Sequence, residues 1–222
     1  MGDSDGFEWT EPHSQSGRLR PVKRPSGVFE TQLGGEDPAI VTRIAHDSAL
    51  ALLNRVRASD DPELVTRLAE FADGQGIDAL AELWAHAAPR SLPGALWRMY
   101  LLRAMIVQDA QLAAMAYERG SVLSTGIDAV IAGAAAPTGP EEVRELADAI
   151  LRGVFSGDFA VALERAAACA RVCSVGFVDL AHDADGSEPE RASQFTIRAA
   201  RLSSMAAELV SCARLWRLDQ LD

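Results

Sequence analysis

Apolar residues recur at three- and four-residue steps along the chain from Asp37 onward, and none of its segments alternates apolar and polar residues. This period is that of an α-helix with one face against a core. It predicts helices over about 77–88, 91–108, 109–123 and 158–183, with further stripes that start at Asp37, Asp61, Val143 and Arg191. Because the connections are short, neighbouring helices should pack antiparallel. We therefore expect an all-α, single-domain antiparallel bundle of seven to eight helices.

Residues that cap helices mark several of these starts. Asp37 precedes Pro38, and Ser91 stands two residues before Pro93, so each pair places a side-chain acceptor ahead of a proline in the first turn. Ser187 with Glu190 has the spacing of a capping box before the last helix. The 91–108 helix is apolar nearly all round, which predicts a central position for it.

The last helix has alanine at every seventh position, at 192, 199, 206 and 213, with Phe195, Leu202, Leu209 and Trp216 between. The preceding helix has small residues at matching steps, namely Ala162, Ala166, Cys169, Cys173 and Gly176. Small side chains let two helices approach closely. We expect the two helices to pack together with paired residue numbers that sum to about 372, so that Gly176 lies near Thr196. The alternative is that the alanines pack on a second copy of the chain.

Residues 1–36 have no apolar periodicity and are rich in Gly, Ser, Pro and charge, which predicts a disordered arm before a bundle domain at 37–222. A basic island at 17–27 contains Arg18, Arg20, Lys23 and Arg24 and no acidic residue. It is either a solvated tail or a tether for an acidic surface, a nucleic acid or a partner protein.

The whole chain carries a formal charge of −11, which argues against a protein that coats nucleic acid except through this arm. No apolar run reaches the roughly 18–20 residues that cross a bilayer, and the first residues do not have the pattern of a secretion signal. Three cysteines in a chain of 222 residues favour reduced thiols. These features predict a cytoplasmic protein with no membrane association.

Arg98 and Arg103 lie on the otherwise apolar 91–108 helix, near Trp97 and Tyr100. A buried arginine needs an acidic partner, and Glu164 or Asp148 could serve. The alternative is that the two arginines and the two aromatic residues line a cavity that binds an anion. We favour ion pairing.

The chain has none of the motifs that fix a reaction, such as HExxH, GxSxG or a phosphate-binding loop. Cys169 and Cys173 have a spacing that metal ligands use, but no second pair completes a tetrahedral site. His182 follows Asp179 by three residues, which is half of a di-iron pattern or, as we favour, a surface ion pair. We therefore predict no metal, no cofactor and no enzymatic activity.

Several stretches resemble a family of small all-helical actinobacterial proteins of unknown function. They are GGEDPAIVTRIAHDSALALLNRVR, SLPGALWRMYLLRAMI, PTGPEEVRELADAILRGVFSGDFAVALERAAA and CARLWR, which together span nearly the whole bundle. Some members carry an automatic label of DNA-directed RNA polymerase subunit beta. The chain is far too short for that subunit. The resemblance implies a helical fold and a GC-rich bacterial origin, and it supplies no catalytic residues to carry over.

These observations predict a non-catalytic interaction or regulatory protein that engages a protein partner through its arm and a helical face. A second hypothesis is a small-molecule-binding bundle with a pocket near Trp97, Tyr100 and Arg103. A third is a factor associated with the transcription machinery through the basic arm. The sequence leaves open whether the chain is a monomer or a homodimer.

Overall fold

The computed structural model describes residues 37–59, 67, 78–124, 127–133 and 139–222, of which 36–222 belong to one unit. These residues contain no β-strand, so the all-α prediction is confirmed. Eight helices lie within them: α1 Pro38–Arg57, α2 Asp78–Ala85, α3 Leu92–Gln108, α4 Ala110–Leu123, α5 Ile127–Ala132, α6 Pro140–Ser156, α7 Phe159–Ala184 and α8 Pro189–Arg217. The arm at 1–36 and the helix start predicted at Asp61 lie outside the described residues.

The predicted caps form at two of the three helix starts. The Asp37 carboxylate accepts from the Ala39 N–H at 3.0 Å, and Ser91 Oγ accepts from the Gly94 N–H at 3.2 Å. The capping box before α8 is wrong. Glu188 occupies its N-cap without a side-chain bond, because Pro189 sits at the first helical position and the turn is one residue longer than the box requires.

The core is built around α7. Its 26 residues are buried on nearly every side, and it packs against α3, α4, α5, α6 and α8. The helix we expected at the centre, α3, also has many neighbours, since it contacts α1, α2, α6 and α8. The most extensive helix contacts nevertheless all involve α7, so the chain's second-longest helix is the axis of the bundle.

The alanines of α8 face α7 in the same chain. Ala192, Ala199, Ala206 and Ala213 are between 0 and 5% exposed, and α7 and α8 form the most extensive helix pair in the structure. The Phe177 and Phe195 ring centroids lie 5.8 Å apart, which is the pairing predicted by a sum of 372. Ser174 Oγ also donates to the Ala199 carbonyl across the pair at 2.8 Å. The prediction that these alanines pack within the chain is therefore confirmed.

Gly176 also contacts α4, a neighbour that the helical pattern did not predict. A Cβ atom at Gly176 would lie 1.7 Å from the Ala116 carbonyl oxygen of α4, and one at Gly120 would lie 1.8 Å from the Val172 carbonyl oxygen of α7. The contact between backbones is thus made by α4 and α7. The small residues of α7 thus serve two neighbours, which the pattern of one helix pair did not reveal.

The short helix α5 has no counterpart among the predicted elements. Arg171 of α7 binds both carboxylate oxygens of Asp128, at 3.0 and 2.6 Å. Arg165 donates to the Ala132 carbonyl at 3.2 Å, at the last residue of α5. Six residues are too few to form a stable helix alone, so these contacts with α7 hold it in place.

Candidate functional site

The arginines predicted to lie near Trp97 and Tyr100 are both engaged in ion pairs. Arg103 Nε binds the Asp148 carboxylate at 2.7 Å, which confirms one of the two predicted acidic partners. Arg98 binds Glu208 and also donates to the Gly94 carbonyl at 3.0 Å. These bonds support the ion-pairing interpretation, since both guanidinium charges are already balanced.

The other predicted acidic partner, Glu164, binds Arg217 through two bonds of 2.5 and 2.8 Å, and this pairing lowers the pKa of the carboxyl. Trp97 and Tyr100 stack on each other with ring centroids 5.4 Å apart. The remaining predicted site residues, Arg18, Arg20, Lys23 and Arg24, lie outside the described residues.

The three cysteines are buried and free. A hydrogen bond with Cys169 and burial raise the pKa of the Cys173 thiol well above its ordinary value. Burial raises the pKa of Cys212 to about 11. Because the thiolate is the form that attacks and that binds metals, the raised pKa values make Cys173 and Cys212 poor nucleophiles and poor metal ligands.

The described residues contain no group of three or more His, Cys, Asp or Glu side chains able to hold a metal ion. The predicted pair of His182 with Asp179 is not formed. Arg119 takes both Asp179, at 2.9 Å, and Asp183, because a guanidinium offers several donors to two carboxylates one helical turn apart.

Two clefts meet where α7 turns into α8, and we call this region the hairpin end. The first, the apolar cleft, has a volume of about 480 Å³. It is lined by Val178, Ala181, His182, Asp185, Pro189, Ala192, Ser193, Thr196 and Ile197. The second, the acidic cleft, has a volume of about 430 Å³ and is lined by Glu188, Pro189, Glu190, Arg191 and Gln194. Pro189 lines both clefts.

The apolar cleft presents two branched side chains to solvent. Val178 of α7 is 57% exposed and Ile197 of α8 is 48% exposed, and both line the same cleft. Single exposed apolar residues are common on protein surfaces. Two of them on the walls of one cleft can bury an apolar side chain of another molecule.

The hairpin end is also negatively charged. Five acidic residues lie between 179 and 190. Arg119 binds two of them, and its hydrogen bond with Asp183 lowers the pKa of that carboxyl. Arg191 reaches Glu188 only at 3.3 Å, with both side chains exposed. Asp185 and Glu190 form no ion pair in the part of the chain that the structure describes, so they add negative charge beside the apolar cleft.

This surface was missed because its two halves belong to different helices. Val178 and Ile197 lie on the outward sides of α7 and α8, where periodicity predicts polar residues. The acid-rich run DLAHDADGSEPE between the helices was the available signal. Sequence alone does not show that two outward apolar residues, 19 positions apart, come together at that run.

Comparison of the chain with known proteins gives no match to a family model, to a curated protein or to a solved structure. The resemblance to small actinobacterial helical proteins stays a prediction. Among the described helices, none combines the length and the apolar character that a bilayer crossing requires.

Proposed function

We propose that this protein is a non-catalytic interaction protein whose hairpin end binds a basic amphipathic helix of a partner protein. The observation that carries the proposal is the junction of an apolar and an acidic cleft at Pro189. A helix with apolar residues on one face and Lys or Arg beside them matches both clefts at once. The charge of the hairpin end thereby selects the sign of the partner's charge.

The platform under the clefts is rigid, which supports a recognition role. Phe177 and Phe195 pack against each other beneath the hairpin end, and the guanidinium groups of Arg198 and Arg191 lie over their rings. Binding to a preformed surface orders few additional side chains, so more of the contact energy appears as affinity.

Charge also supports the choice of a basic partner. The protein carries −11 overall, so a cationic segment is attracted from a distance before it contacts the cleft. An acidic or neutral helix of the same apolar content would offer no positive charge to balance the carboxylates of Asp185 and Glu190. The affinity should therefore depend on salt as well as on the apolar anchor.

The test uses a fluorescein-labelled helical peptide of leucine and lysine with one apolar face, and the same peptide with glutamate in place of lysine. We expect the lysine peptide to bind, by fluorescence anisotropy, at least tenfold more tightly than the glutamate peptide, and this preference to fall as salt rises. Ile197→Asp should weaken the lysine peptide about tenfold, because it removes the anchor contact.

The matched control is Val161→Asp, which places the same charge at an exposed apolar residue at the other end of α7. The affinity of this variant for the lysine peptide should stay within about twofold of that of the parent protein. Equal binding of the two peptides, or equal losses in both variants, would show that the hairpin end is not the binding site. Thermal unfolding of each variant checks that the bundle is intact.

A further inference from the structure

A third cleft lies on another part of the bundle, between α1 and the start of α3, and we call it the α1–α3 cleft. Its volume is about 770 Å³, larger than either cleft at the hairpin end. It is lined by Pro38, Ala39, Thr42, Arg43, Ala45, His46, Ala87, Ala88, Arg90, Ser91, Pro93 and Asp222. Small-molecule sites in proteins have volumes of about 300–1,000 Å³, so this cleft can hold a compact organic ligand.

Half of the lining residues are alanine or proline, which gives the cleft apolar walls without bulky side chains to fill it. The walls come from two rigid elements, since Asp37 caps α1 and Ser91 caps α3. Such walls favour an apolar body of a ligand and leave its orientation to the few polar groups.

The cationic groups of the cleft are Arg43 and Arg90. Within the residues that the structure describes, neither arginine forms an ion pair or a side-chain hydrogen bond, in contrast to Arg98 and Arg103 on the adjacent helix. Asp222 is the acidic residue of the lining. Arg43 and Arg90 are thus the positive groups of the lining, beside the carboxylate of Asp222, on a chain of net charge −11.

The start of α3 adds to this positive character. Its macrodipole places partial positive charge at the N-terminal turn, which Ser91 and Pro93 contribute to the cleft. The Leu92 N–H of this turn already donates to the main-chain oxygen of Asp222 at 2.7 Å. Because Gly94 N–H likewise donates to Ser91 Oγ, a ligand meets the partial charge of this helix end and not a free N–H group.

His46 also lines the cleft. Its Nδ1 atom is shielded from solvent and has no hydrogen-bond partner among the described residues, so the ring meets the cleft through its other atoms.

From these observations we infer that the α1–α3 cleft binds a small amphiphilic anion, in which a carboxylate or phosphate head group is attached to a short apolar body. The apolar body lies against the alanine and proline walls. Arg43 and Arg90 bind the head group. This site is separate from the hairpin end, so its test is independent of the proposed partner binding.

The test uses 8-anilino-1-naphthalenesulfonate as a fluorescent apolar anion and N-phenyl-1-naphthylamine as its neutral counterpart. The folded protein should bind the anionic dye more tightly than the neutral one. Octanoate and octyl phosphate should displace the anionic dye, whereas octanol should displace it at least tenfold less well. The two anions distinguish a carboxylate from a phosphate head group.

The double variant Arg43→Ala/Arg90→Ala should bind the anionic dye about tenfold more weakly and the neutral dye equally well, since two exposed charge contacts each contribute a severalfold effect. Arg201→Ala, which removes an exposed arginine of α8, is the matched control. Twice its loss of affinity for the anionic dye should remain well below the loss in the double variant. Ile197→Asp should leave dye binding unchanged.

Three results would overturn the inference. They are the absence of dye binding to the folded protein, the same loss for the neutral and the anionic dye in the double variant, and displacement by octanol as effective as by octanoate. Near-ultraviolet circular dichroism of each variant excludes dye binding to a loosened core, because both arginines are exposed and their removal should leave the spectrum unchanged.

Discussion

Burial changes the chemistry of individual side chains in the core, and Cys212 shows it most directly. The residue is 0% exposed, and its thiol lies 3.5 Å from the Pro89 carbonyl oxygen. Tyr117 is 2% exposed and its hydroxyl has no partner among the described residues, and burial raises its pKa as well. A charged form of either group would be desolvated, and both therefore stay protonated at physiological pH.

The raised pKa of Cys212 predicts a loss of stability at alkaline pH. Its folded pKa, about 11, exceeds the ordinary value of 9.0, so the contribution is fully present below pH 9 and is lost as pH rises through 11. Between pH 9 and pH 11 the free energy of unfolding should fall in the parent protein by roughly 2 kcal/mol more than in Cys212→Ala. Urea unfolding at pH 8, 9, 10 and 11 measures it, and parallel profiles for the two proteins would contradict the assignment.

The sequence predicted that Cys169 and Cys173 belong to the small residues that α7 packs against α8, and both are buried. It did not predict the size of the pKa change. That change depends on how completely the neighbouring helices exclude water, and these neighbours come from distant parts of the chain.

At the scale of helices, the closest packing in the described structure depends on two glycines. Gly120 of α4 and Gly176 of α7 bring the two backbones together, so each Cβ position is already occupied by a carbonyl oxygen of the other helix. A methyl group there can be accommodated only if two helices move apart, because a backbone carbonyl cannot rotate away as a side chain does.

Gly176→Ala should therefore lower the free energy of unfolding by about 3 kcal/mol despite the better helix propensity of alanine. Gly153→Ala in α6 is the matched control. A Cβ atom there would meet the Ala162 Cβ at an ordinary 3.5 Å, so this variant should be neutral or more stable by up to about 1 kcal/mol. Denaturant unfolding of both variants checks the contrast, and equal stabilities would show that α4 and α7 can separate at little cost.

The alanines at every seventh position of α8 predicted that α8 packs on α7, but nothing in the sequence predicted that α4 packs on α7. A seven-residue repeat is visible within one helix and finds its complement in the helix that follows a short turn. The α4–α7 contact joins segments more than 50 residues apart, and each contributes a single glycine, a signal that occurs in many helices for other reasons.

At the scale of the whole molecule, the segment after α8 returns to the bundle. The backbone reverses at Asp219, which has a φ of 56°, and this places Leu221 in the core with 7% exposure. The main-chain oxygen of Asp222 then accepts from the Leu92 N–H at the start of α3. These few residues thus join the last helix to the α1–α3 cleft.

Leu221→Ala should lower the free energy of unfolding by about 2 kcal/mol, at the low end of the range for buried leucine because the site borders the surface. Leu218→Ala, three residues earlier and 65% exposed, should change it by less than about 0.5 kcal/mol. Thermal and urea unfolding measure both. If the two variants are equally stable, the segment does not contribute to the core.

The sequence by itself determined where α1, α3, α4 and α7 begin, which face of α8 is buried and that the fold is all-α, because helical period and capping depend on residues within a few positions of each other. Tertiary structure alone decided that Glu208 rather than Glu164 binds Arg98, that α5 forms against α7, and where the clefts lie. Each of these outcomes depends on competition among groups far apart in the chain, and distance in space settles it.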